Sequence, residues 1–372
     1  MPGESKPMST SMAIGSVEVF FDGAQPAGRR ASLHSTRGPM VARLIEGREP
    51  SEELCRLVGM IFALCPAAQV SALRAAVAAA RGESPDAGVS ARLVRAETML
   101  EHLRLFLMEL PATLGLPPFP EARALGALRA RLAALVRAPG DAQALERDIS
   151  RLARDTVLAG LPGTGDAKIL TQAAALCGGS DPRFSRLFEA ARAIHAEDTS
   201  AVPFLETESD AVRAELFASV WTEGFTARPA LSGGPRQTHA LSRMARLMEG
   251  LAELPLPRLL FARLAELACL AGGALLPADT VQTRAEAGRA IAIVQCARGA
   301  LMTAVRMEDG LIREPVIVAP TEWNFHPAGA AAHLLNTLAA GSFEAFEREA
   351  RRSLLLFDAC IPCSITEITS HA

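Results

Sequence analysis

The sequence lacks tyrosine, lacks any long uncharged apolar run, and has a net charge of only −3 at neutral pH over 372 residues. A membrane-spanning helix needs about 20 consecutive apolar residues, so the missing run predicts a protein with no membrane partner. The weak net charge predicts no nucleic-acid partner, because such proteins usually carry a concentrated basic surface. Residues 1–16 lack the apolar stretch of a secretory signal, and we therefore expect a cytoplasmic protein.

Apolar residues make up 49% of the chain, which is enough for a large core. Residues 1–48 begin with a short alternating apolar run and predict a β/loop segment. Residues 49–289 show mainly helical periodicity and predict a helical body. Residues 290–372 predict a β hairpin, a helix and a terminal C-x-x-C. This order predicts a mainly helical α+β fold, with small β elements near both termini, in one compact domain.

Local signals give finer predictions. Residues 24–39 are rich in Gly, Pro, Arg and Ser and predict a loop. Residues 57–80 form one long Ala/Leu/Val-rich helical stretch, and a second helix over 94–110 is expected to stop at Pro111. A further helix is predicted from about residue 330 to residue 356.

The seven cysteines include one close pair, Cys360 and Cys363, just beyond the last predicted helix. In a reducing cytoplasm such a pair indicates a metal or redox site before a disulfide. The intervening turn brings both sulfurs to one side, where they could chelate one soft metal. A zinc half-site, a redox pair and a chance pair remain open, although no second C-x-x-C is present to complete a zinc site. The cysteines in apolar or helical surroundings are predicted to be small buried side chains: Cys55, Cys177, Cys269 and Cys296.

Five stretches, in order along the chain, resemble the motifs of nickel-iron hydrogenase large subunits. The stretches and the motifs they resemble are residues 61–66 (R-I-C-G-x-C), 237–243 (E-T-G-A-L-x-R), 295–299 (E-x-x-R-G), 319–324 (x-P-T-x-W-N) and 357–363 (D-P-C-x-x-C). The likeness covers residues ~40 to 372. It implies a large-subunit-like helical body.

The departures from these motifs bear on function. In the family, the first C-x-x-C supplies one terminal nickel ligand and one cysteine that bridges nickel and iron. The terminal position is Phe62 here, and only the bridging position, Cys65, is retained. At the other end, Cys360 takes the terminal nickel position and Cys363 the bridging position. The resemblance therefore implies that Cys65 and Cys363 hold iron, with Cys360 as a further candidate ligand, and that nickel is not bound.

Other departures remove catalytic groups. The R-G-x-E proton-relay stretch falls on residues 39–42 and places Ala42 at the carboxylate, and Ala has no titratable group. The histidine that follows the second C-x-x-C, which marks the site of a maturation protease, is Thr366. These changes predict that no residue is catalytic and that the protein is not an enzyme.

The iron pocket of the family is retained. The resemblance implies that Arg298 and the Thr321 hydroxyl donate hydrogen bonds to cyanide ligands on iron, and that Pro320 closes the carbonyl side. A low-spin ferrous ion that carries cyanide and carbon monoxide favours soft thiolates as its remaining ligands.

This pattern is similar to the HupK/HoxV group of hydrogenase accessory proteins. The resemblance implies a scaffold for a transient Fe(CN)2(CO) fragment, received from HypC/HypD-type maturation factors and passed to the hydrogenase large subunit. Two alternatives remain: a divergent large subunit with an altered nickel site, and a structural paralogue that binds no metal.

Overall fold

Helices form most of the middle of the chain. The computed structural model describes residues 15–368 apart from 39, 86–87, 139, 160–180, 196–200, 250, 252–253 and 275–280. Within these residues the helices are α1 (Met40–Ile45), α2 (Glu52–Ile61), α3 (Pro66–Ala80), α4 (Gly88–Arg104), α5 (Leu110–Thr113), α6 (Arg123–Arg137), α7 (Ala142–Asp155), α8 (Pro182–Ala191), α9 (Asp210–Ser219), α10 (Ala240–Met248), α11 (Arg258–Ala271), α12 (Pro320–Asn324), α13 (Ala330–Asn336) and α14 (Phe343–Leu355). A π-helical turn, Leu105–Glu109, joins α4 to α5.

The strands form three small sheets among the described residues. The strands are β1 (Val17–Phe21), β2 (Ala31–Ser35), β3 (Ala230–Leu231), β4 (Gly234–Pro235), β5 (Gln282–Glu286), β6 (Arg289–Cys296), β7 (Gly299–Glu308), β8 (Leu311–Val318) and β9 (Cys363–Glu367). The sheet orders are β2-β1-β9, β3-β4 and β5-β6-β7-β8. The fold is therefore α+β and mainly helical, as the sequence predicts.

The helix α3 lies at the centre of the molecule. Most of its residues are alanine or valine and are buried, because small side chains allow neighbouring elements to approach closely. It packs against β6 and β7 and against α2 and α4. The strands β6 and β7 are buried along most of their length and read as continuous apolar runs. The core therefore joins the helical body to the sheet near the end of the chain.

Several helix boundaries differ from the prediction. The stretch over residues 57–80 is two helices, since α2 ends at Ile61 and α3 begins at Pro66. Pro111 does not end the helix, which continues through the π-helical turn to Thr113, because the Leu107 carbonyl, four residues before Pro111, accepts from the Phe119 N–H at 2.9 Å instead. The stretch from 330 to 356 is also two helices. The second of these, α14, begins after Ser342, whose hydroxyl accepts a hydrogen bond from the Ala345 N–H at 3.3 Å.

The two ends of the described chain meet in one sheet. The residues 24–39, predicted to be loop, contain β2, whose alternating burial shows one face on the core. β1 pairs antiparallel with β2 and parallel with β9, and Val17 lies opposite Cys363. This pairing fixes the C-terminal cysteine segment against the first strand. No helix among the described residues is long and apolar enough to cross a membrane.

Candidate functional site

Cys65 lies in the turn between α2 and α3. Its backbone N–H donates to the Phe62 carbonyl at 3.0 Å, and Pro66 follows at the start of α3, where its fixed φ suits a helix. Cys65 as a residue is half-buried, its sulfur is desolvated, and Gln69 Nε2 lies 3.9 Å from the sulfur. Phe62, at the family's terminal nickel position, is only 8% exposed and packs in the main core. The turn therefore presents a single thiol at the N-terminus of a buried helix.

Cys360 reaches the same region from the C-terminal segment. The Cys360 N–H donates to Thr321 Oγ1 at 3.4 Å, and Thr321 Oγ1 lies 3.1 Å from the Cys360 sulfur. Arg37 Nη2 donates to this sulfur at 2.9 Å. Two polar side chains from distant parts of the chain therefore hold the Cys360 thiol.

The thiols of Cys65 and Cys360 lie close enough for their charges to interact. Burial raises the pKa of Cys65 well above its usual value, and the charges of Cys360 and Glu97 raise it further. The Arg298 guanidinium acts in the opposite direction. A thiol in this position releases its proton readily only when a cation, such as a metal ion, compensates the new charge.

The third predicted ligand, Cys363, lies elsewhere. It is the first residue of β9, and it lines a separate cavity of about 410 Å³ together with Glu109 and Arg351. Burial raises the pKa of Cys363 to about 11. That Cys65 and Cys363 share one pocket stays a prediction, although Cys65 does not line the cavity that Cys363 lines.

The described residues contain no cluster of three or more His, Cys, Asp or Glu side chains that could hold a metal ion on its own. The three candidate cysteines therefore do not converge as one ligand set in this conformation. A metal unit held here would need to bring some of its own ligands.

Arg298 occupies the two-residue turn between β6 and β7 and is 3% exposed. Its Nε donates to the Asp358 carbonyl at 2.9 Å, and its Nη2 donates to Glu101 Oε2 at 2.7 Å. Burial alone would lower the pKa of Arg298, but Asp358, Glu101 and the two thiols raise it well above its usual value. Within the described residues, the Nη1 atom makes no hydrogen bond. The permanent charge of Arg298 therefore acts on both thiols, and one of its nitrogens is free to donate.

The Arg298 turn is held by contacts between three of the five motif stretches. Gly299 has φ +129°, and a Cβ there would lie 2.4 Å from the Thr238 carbonyl oxygen, so only glycine fits. Thr238 Oγ1 accepts from the Ala300 N–H at 2.8 Å. Asn324 Oδ1 accepts from the Thr238 N–H at 2.8 Å, and Asn324 Nδ2 donates to the Arg298 carbonyl at 3.3 Å. The matching stretches therefore meet in space around one turn.

Asp358 anchors the segment that carries Cys360. It has φ +50°, which redirects the chain after α14, and it is 5% exposed. Arg104 Nη2 and Arg263 Nη1 donate to its two oxygens at 3.0 and 3.1 Å, and Arg298 Nη2 lies 3.3 Å from Oδ1. Burial alone would raise the pKa of Asp358, but the three guanidinium groups hold it well below its usual value. The charge network thus ties the Cys360 segment to α4, α11 and the β6–β7 turn.

The other two predicted pocket residues are buried at the start of α12. Pro320 is the first residue of this helix, and Thr321 is the second. The Thr321 hydroxyl contacts Cys360, so in this structure it supports a cysteine and is not open to an external ligand. To donate to a cyanide as predicted, the Thr321 hydroxyl would have to give up its contact with Cys360.

Sequence reasoning missed Arg37, which contacts Cys360 and whose Nε lies 3.3 Å from Glu322 Oε1. A signal for Arg37 was present. Arg37-Gly38 matches the first two residues of R-G-x-E, which aligns the motif with residues 37–40 in place of 39–42. This alignment places Met40, not Ala42, at the glutamate position. Neither register leaves a titratable group there, so the predicted loss of the proton relay is the same.

Glu97 was also missed as a site residue. Its two carboxylate oxygens accept from the backbone N–H groups of Ala67 and Ala68 at 2.7 and 3.1 Å, at the N-terminus of α3. Burial raises the pKa of Glu97 to about 8, and the two backbone donors oppose this shift. The carboxyl group fixes the first turn of α3 and thereby the position of Cys65.

The remaining cysteines agree with the prediction where they are described. Cys55, Cys269 and Cys296 are buried. Cys177 lies outside the described residues.

Comparison with known proteins gives close relatives along almost the whole chain. No protein-family model matches the sequence. The hydrogenase expression/formation protein HupK of Rhizobium leguminosarum bv. viciae is 30% identical over 96% of this chain and 98% of its own length. HupK of Bradyrhizobium diazoefficiens is 32% identical over 94% of this chain and 95% of its own length. HoxV of Cupriavidus necator is 30% identical over 91% of this chain and 93% of its own length.

Solved structures with the same fold are hydrogenases. A chain of the Ni-Fe-Se hydrogenase of Desulfovibrio vulgaris Hildenborough matches with a TM-score of 0.56 and 14% identity over 90% of this chain and 92% of that chain. A chain of an NAD+-reducing [NiFe]-hydrogenase matches with a TM-score of 0.52 and 16% identity, over 89% of this chain and 92% of that chain. At this identity the likeness establishes the fold alone.

Proposed function

Since this chain belongs to the family of HupK and HoxV hydrogenase expression/formation proteins, we propose that it is a non-catalytic carrier in hydrogenase maturation. The proposed cargo is an iron fragment that carries two cyanides and one carbon monoxide. The protein holds this fragment for a time and then releases it to a hydrogenase large subunit.

One observation carries the proposal: the charge of the buried Arg298 acts on both Cys65 and Cys360, and its Nε donates to the Asp358 carbonyl, two residues before Cys360. Two thiolates and a fixed guanidinium suit an iron unit that already has three strong ligands and excess negative charge. We propose Arg298 Nη1 as the donor to a cyanide nitrogen, since Asp358 and Glu101 hold the Nε and Nη2 atoms of the guanidinium. A bare metal ion would find too few ligands here.

Loading is an exchange of ligands at iron, with no change in oxidation state. Two iron–sulfur bonds form, at Cys65 and Cys360, and two bonds between iron and the donor's ligands break. The two thiol protons pass to the ligands that the donor releases. Cys363 is proposed as a ligand in a second arrangement, which requires β9 to separate from β1.

The changed residues support a carrier over an enzyme. Phe62 has no atom that can bind nickel, and its buried ring occupies the position of a nickel thiolate. Neither register of the R-G-x-E motif supplies a carboxylate for proton transfer. We propose HypC/HypD-type maturation factors as donors and the large subunit as recipient. The carrier must bind the fragment more weakly than the recipient, by about 1.4 kcal/mol for each tenfold bias.

Infrared spectroscopy tests this function, because cyanide and carbonyl stretches lie where protein is transparent. The protein is purified from cells that express the maturation machinery, as wild type and as Cys65→Ala, Cys360→Ala and Cys363→Ala. We expect bands from two cyanides and one carbonyl in the wild type, loss of these bands in the first two variants, and retention in Cys363→Ala. Cys269→Ala, at a buried cysteine outside the site, is the matched control.

The other outcomes separate the alternatives. Wild-type protein without cyanide bands would support a metal-free paralogue. Loss of the bands in Cys363→Ala with retention in Cys360→Ala would restore the family's bridging pair, Cys65 and Cys363, as the iron ligands. Hydrogen–deuterium exchange activity with a partner small subunit would support a divergent large subunit.

A further inference from the structure

A cavity of about 380 Å³ adjoins the candidate site at Arg37, and it is distinct from the cavity that Cys363 lines. Its rim includes the exposed residues Thr222 and Glu223, and its walls include Ala42 and Trp221. Phe62 and Glu322, at its inner end, are buried. Burial therefore increases from the rim to the inner end, as it does in a passage that leads inward.

Arg37 lines the inner end of this cavity and reaches the site behind it. Its Nη2 donates to the Cys360 sulfur at 2.9 Å, and its Nε faces Glu322 Oε1 at 3.3 Å. The geometry of the second contact is not that of a hydrogen bond, so neither Arg37 Nε nor Glu322 Oε1 has a hydrogen-bond partner among the described residues. The guanidinium thus has one donor on the thiol and another that is not used.

The structure of the cavity points to a route to the thiol, and we propose that an anionic cargo reaches Cys360 through it, captured at its inner end by Arg37. This inference rests on the proposed carrier function and names the route and the capturing residue. The cavity has room for roughly ten water molecules at about 30 Å³ each. An iron ion with three diatomic ligands has fewer heavy atoms than that, so it fits.

The charged residues that line the cavity are Arg37 and three glutamates, of which Glu223 is exposed to solvent at the rim. The Glu314 carboxylate at the wall pairs with Arg289 at 2.7 Å and with Arg306 at 3.1 Å, so its charge is compensated. At the inner end, Glu322 competes with an incoming anion for Arg37. The small side chain of Ala42 leaves room at the cavity wall, where a larger side chain would narrow the passage.

The test follows alkylation of Cys360 in the purified full-length protein by two small reagents of similar size. Iodoacetate is anionic and iodoacetamide is neutral, and peptide mass spectrometry gives the rate at each cysteine. Ala42→Phe should slow both reagents at Cys360 by roughly tenfold, because its ring would fill the passage. Ala127→Phe, on the exposed face of α6, should change neither rate.

The ratio of the iodoacetate rate to the iodoacetamide rate isolates capture by charge. Arg37→Met should lower this ratio at Cys360 by roughly tenfold, because the anion loses a charge-assisted donor. Glu322→Gln should raise it several-fold, because Arg37 loses its competing carboxylate while the Gln oxygen can still accept from the Ala319 N–H. Changes in the reactivity of the sulfur itself affect both reagents and cancel in the ratio.

Two results would overturn the inference. Unchanged Cys360 rates in Ala42→Phe would show that reagents arrive by another path. An unchanged ratio in Arg37→Met would show that Arg37 supports the sulfur without capturing anions. These results are independent of the infrared test. If wild-type protein carries no cyanide bands, the carrier function fails while the alkylation results stand, and if Ala42→Phe loads cargo as fully as wild type, only the route is wrong.

Discussion

Cys360 and Cys363 are separated by two residues in the sequence, yet the structure places them in different surroundings. Cys360 lies in an irregular segment, contacts Arg37 and Thr321, and is near Cys65. Cys363 begins a β-strand and lines another cavity beside Arg351. The difference shows that the two cysteines of one C-x-x-C can have different contacts, because the chain is anchored differently on each side of them.

The difference between the surroundings of Cys360 and Cys363 should be disturbed most by removing the Asp358 carboxylate, which anchors the Cys360 segment. Asp358→Asn should lower the free energy of unfolding by about 3–5 kcal/mol, because three buried guanidinium groups lose their shared carboxylate. Asn has a similar size and tolerates the positive φ of this position. Urea denaturation at pH 7 measures the change. Asp148→Asn, which removes an exposed partner of Arg131, should leave stability nearly unchanged.

The pH dependence adds a check on Asp358. Its pKa is depressed in the folded state, so its stabilising contribution is complete above the unfolded pKa of about 3.9 and is lost as the pH falls through the folded value. The difference between wild type and Asp358→Asn should therefore stay constant from pH 7 to about 5 and shrink only below about 4. A difference that shrinks near neutral pH would contradict the assigned role.

A smaller effect is expected at the turn that places Arg298 beside Cys65 and Cys360. Gly299→Ala should cost about 2–4 kcal/mol, because the new Cβ meets the Thr238 backbone and φ is +129°. Gly310→Ala is the matched control, since φ is +78° but no atom lies within 4 Å of the new Cβ, and it should cost only about 1 kcal/mol. Thermal and urea unfolding measure both. Equal costs would mean that the close approach to Thr238 does not constrain the site.

The smallest effect on stability concerns the Cys363 side of the comparison. Thr366→Pro weakens the edge strand β9 opposite Phe20 and should cost about 1 kcal/mol. We expect iodoacetamide to label Cys363 faster in this variant, while the Cys360 rate, the internal control, stays the same. An unchanged Cys363 rate would show that β9 does not restrain this thiol.

The pH profile of labelling in the wild type tests the same environment. The pKa of Cys363 is raised to about 11 by burial, so its labelling rate should keep rising about tenfold per pH unit from pH 8 to 10. An ordinary thiol with a pKa near 8.5 levels off above about pH 9. If Cys363 levels off there, the strand does not shield it. In Thr366→Pro the Cys363 labelling rate should level off at a lower pH than in the wild type.

Much of the fold could be predicted because its signals are local. The alternation of apolar residues that ends at Phe21 and the hairpin turn between β7 and β8 each depend only on neighbouring residues, and both are present in the structure. The strand β2 was missed because Gly, Pro and Arg around it suggested a loop, and its pairing with β1 is a contact outside its own sequence. The division between α2 and α3 was missed because the apolar character continues across the turn at Cys65.

The candidate site was predictable in its members more than in its arrangement. Arg298 was identified from its motif, and the structure places it beside Cys65 and Cys360. Arg37 was missed because it lies in an unremarkable Arg/Gly/Ser-rich segment, and its importance comes from one contact with a residue at the other end of the chain. Glu97 was missed for the same reason, since its role depends on two backbone groups of another helix.

The sequence by itself determined the kind of protein: a mainly helical α+β chain that resembles the HupK and HoxV hydrogenase expression/formation proteins. Only the tertiary structure decided what surrounds each thiol, because those contacts depend on how distant strands and helices pair. The register of β9 on β1 sets Cys363 opposite Val17, and the buried carboxylate of Asp358, bound by guanidinium groups from other elements, anchors the segment that carries Cys360. Such long-range pairings are settled by burial and charge compensation across the whole core, which no local pattern of residues records.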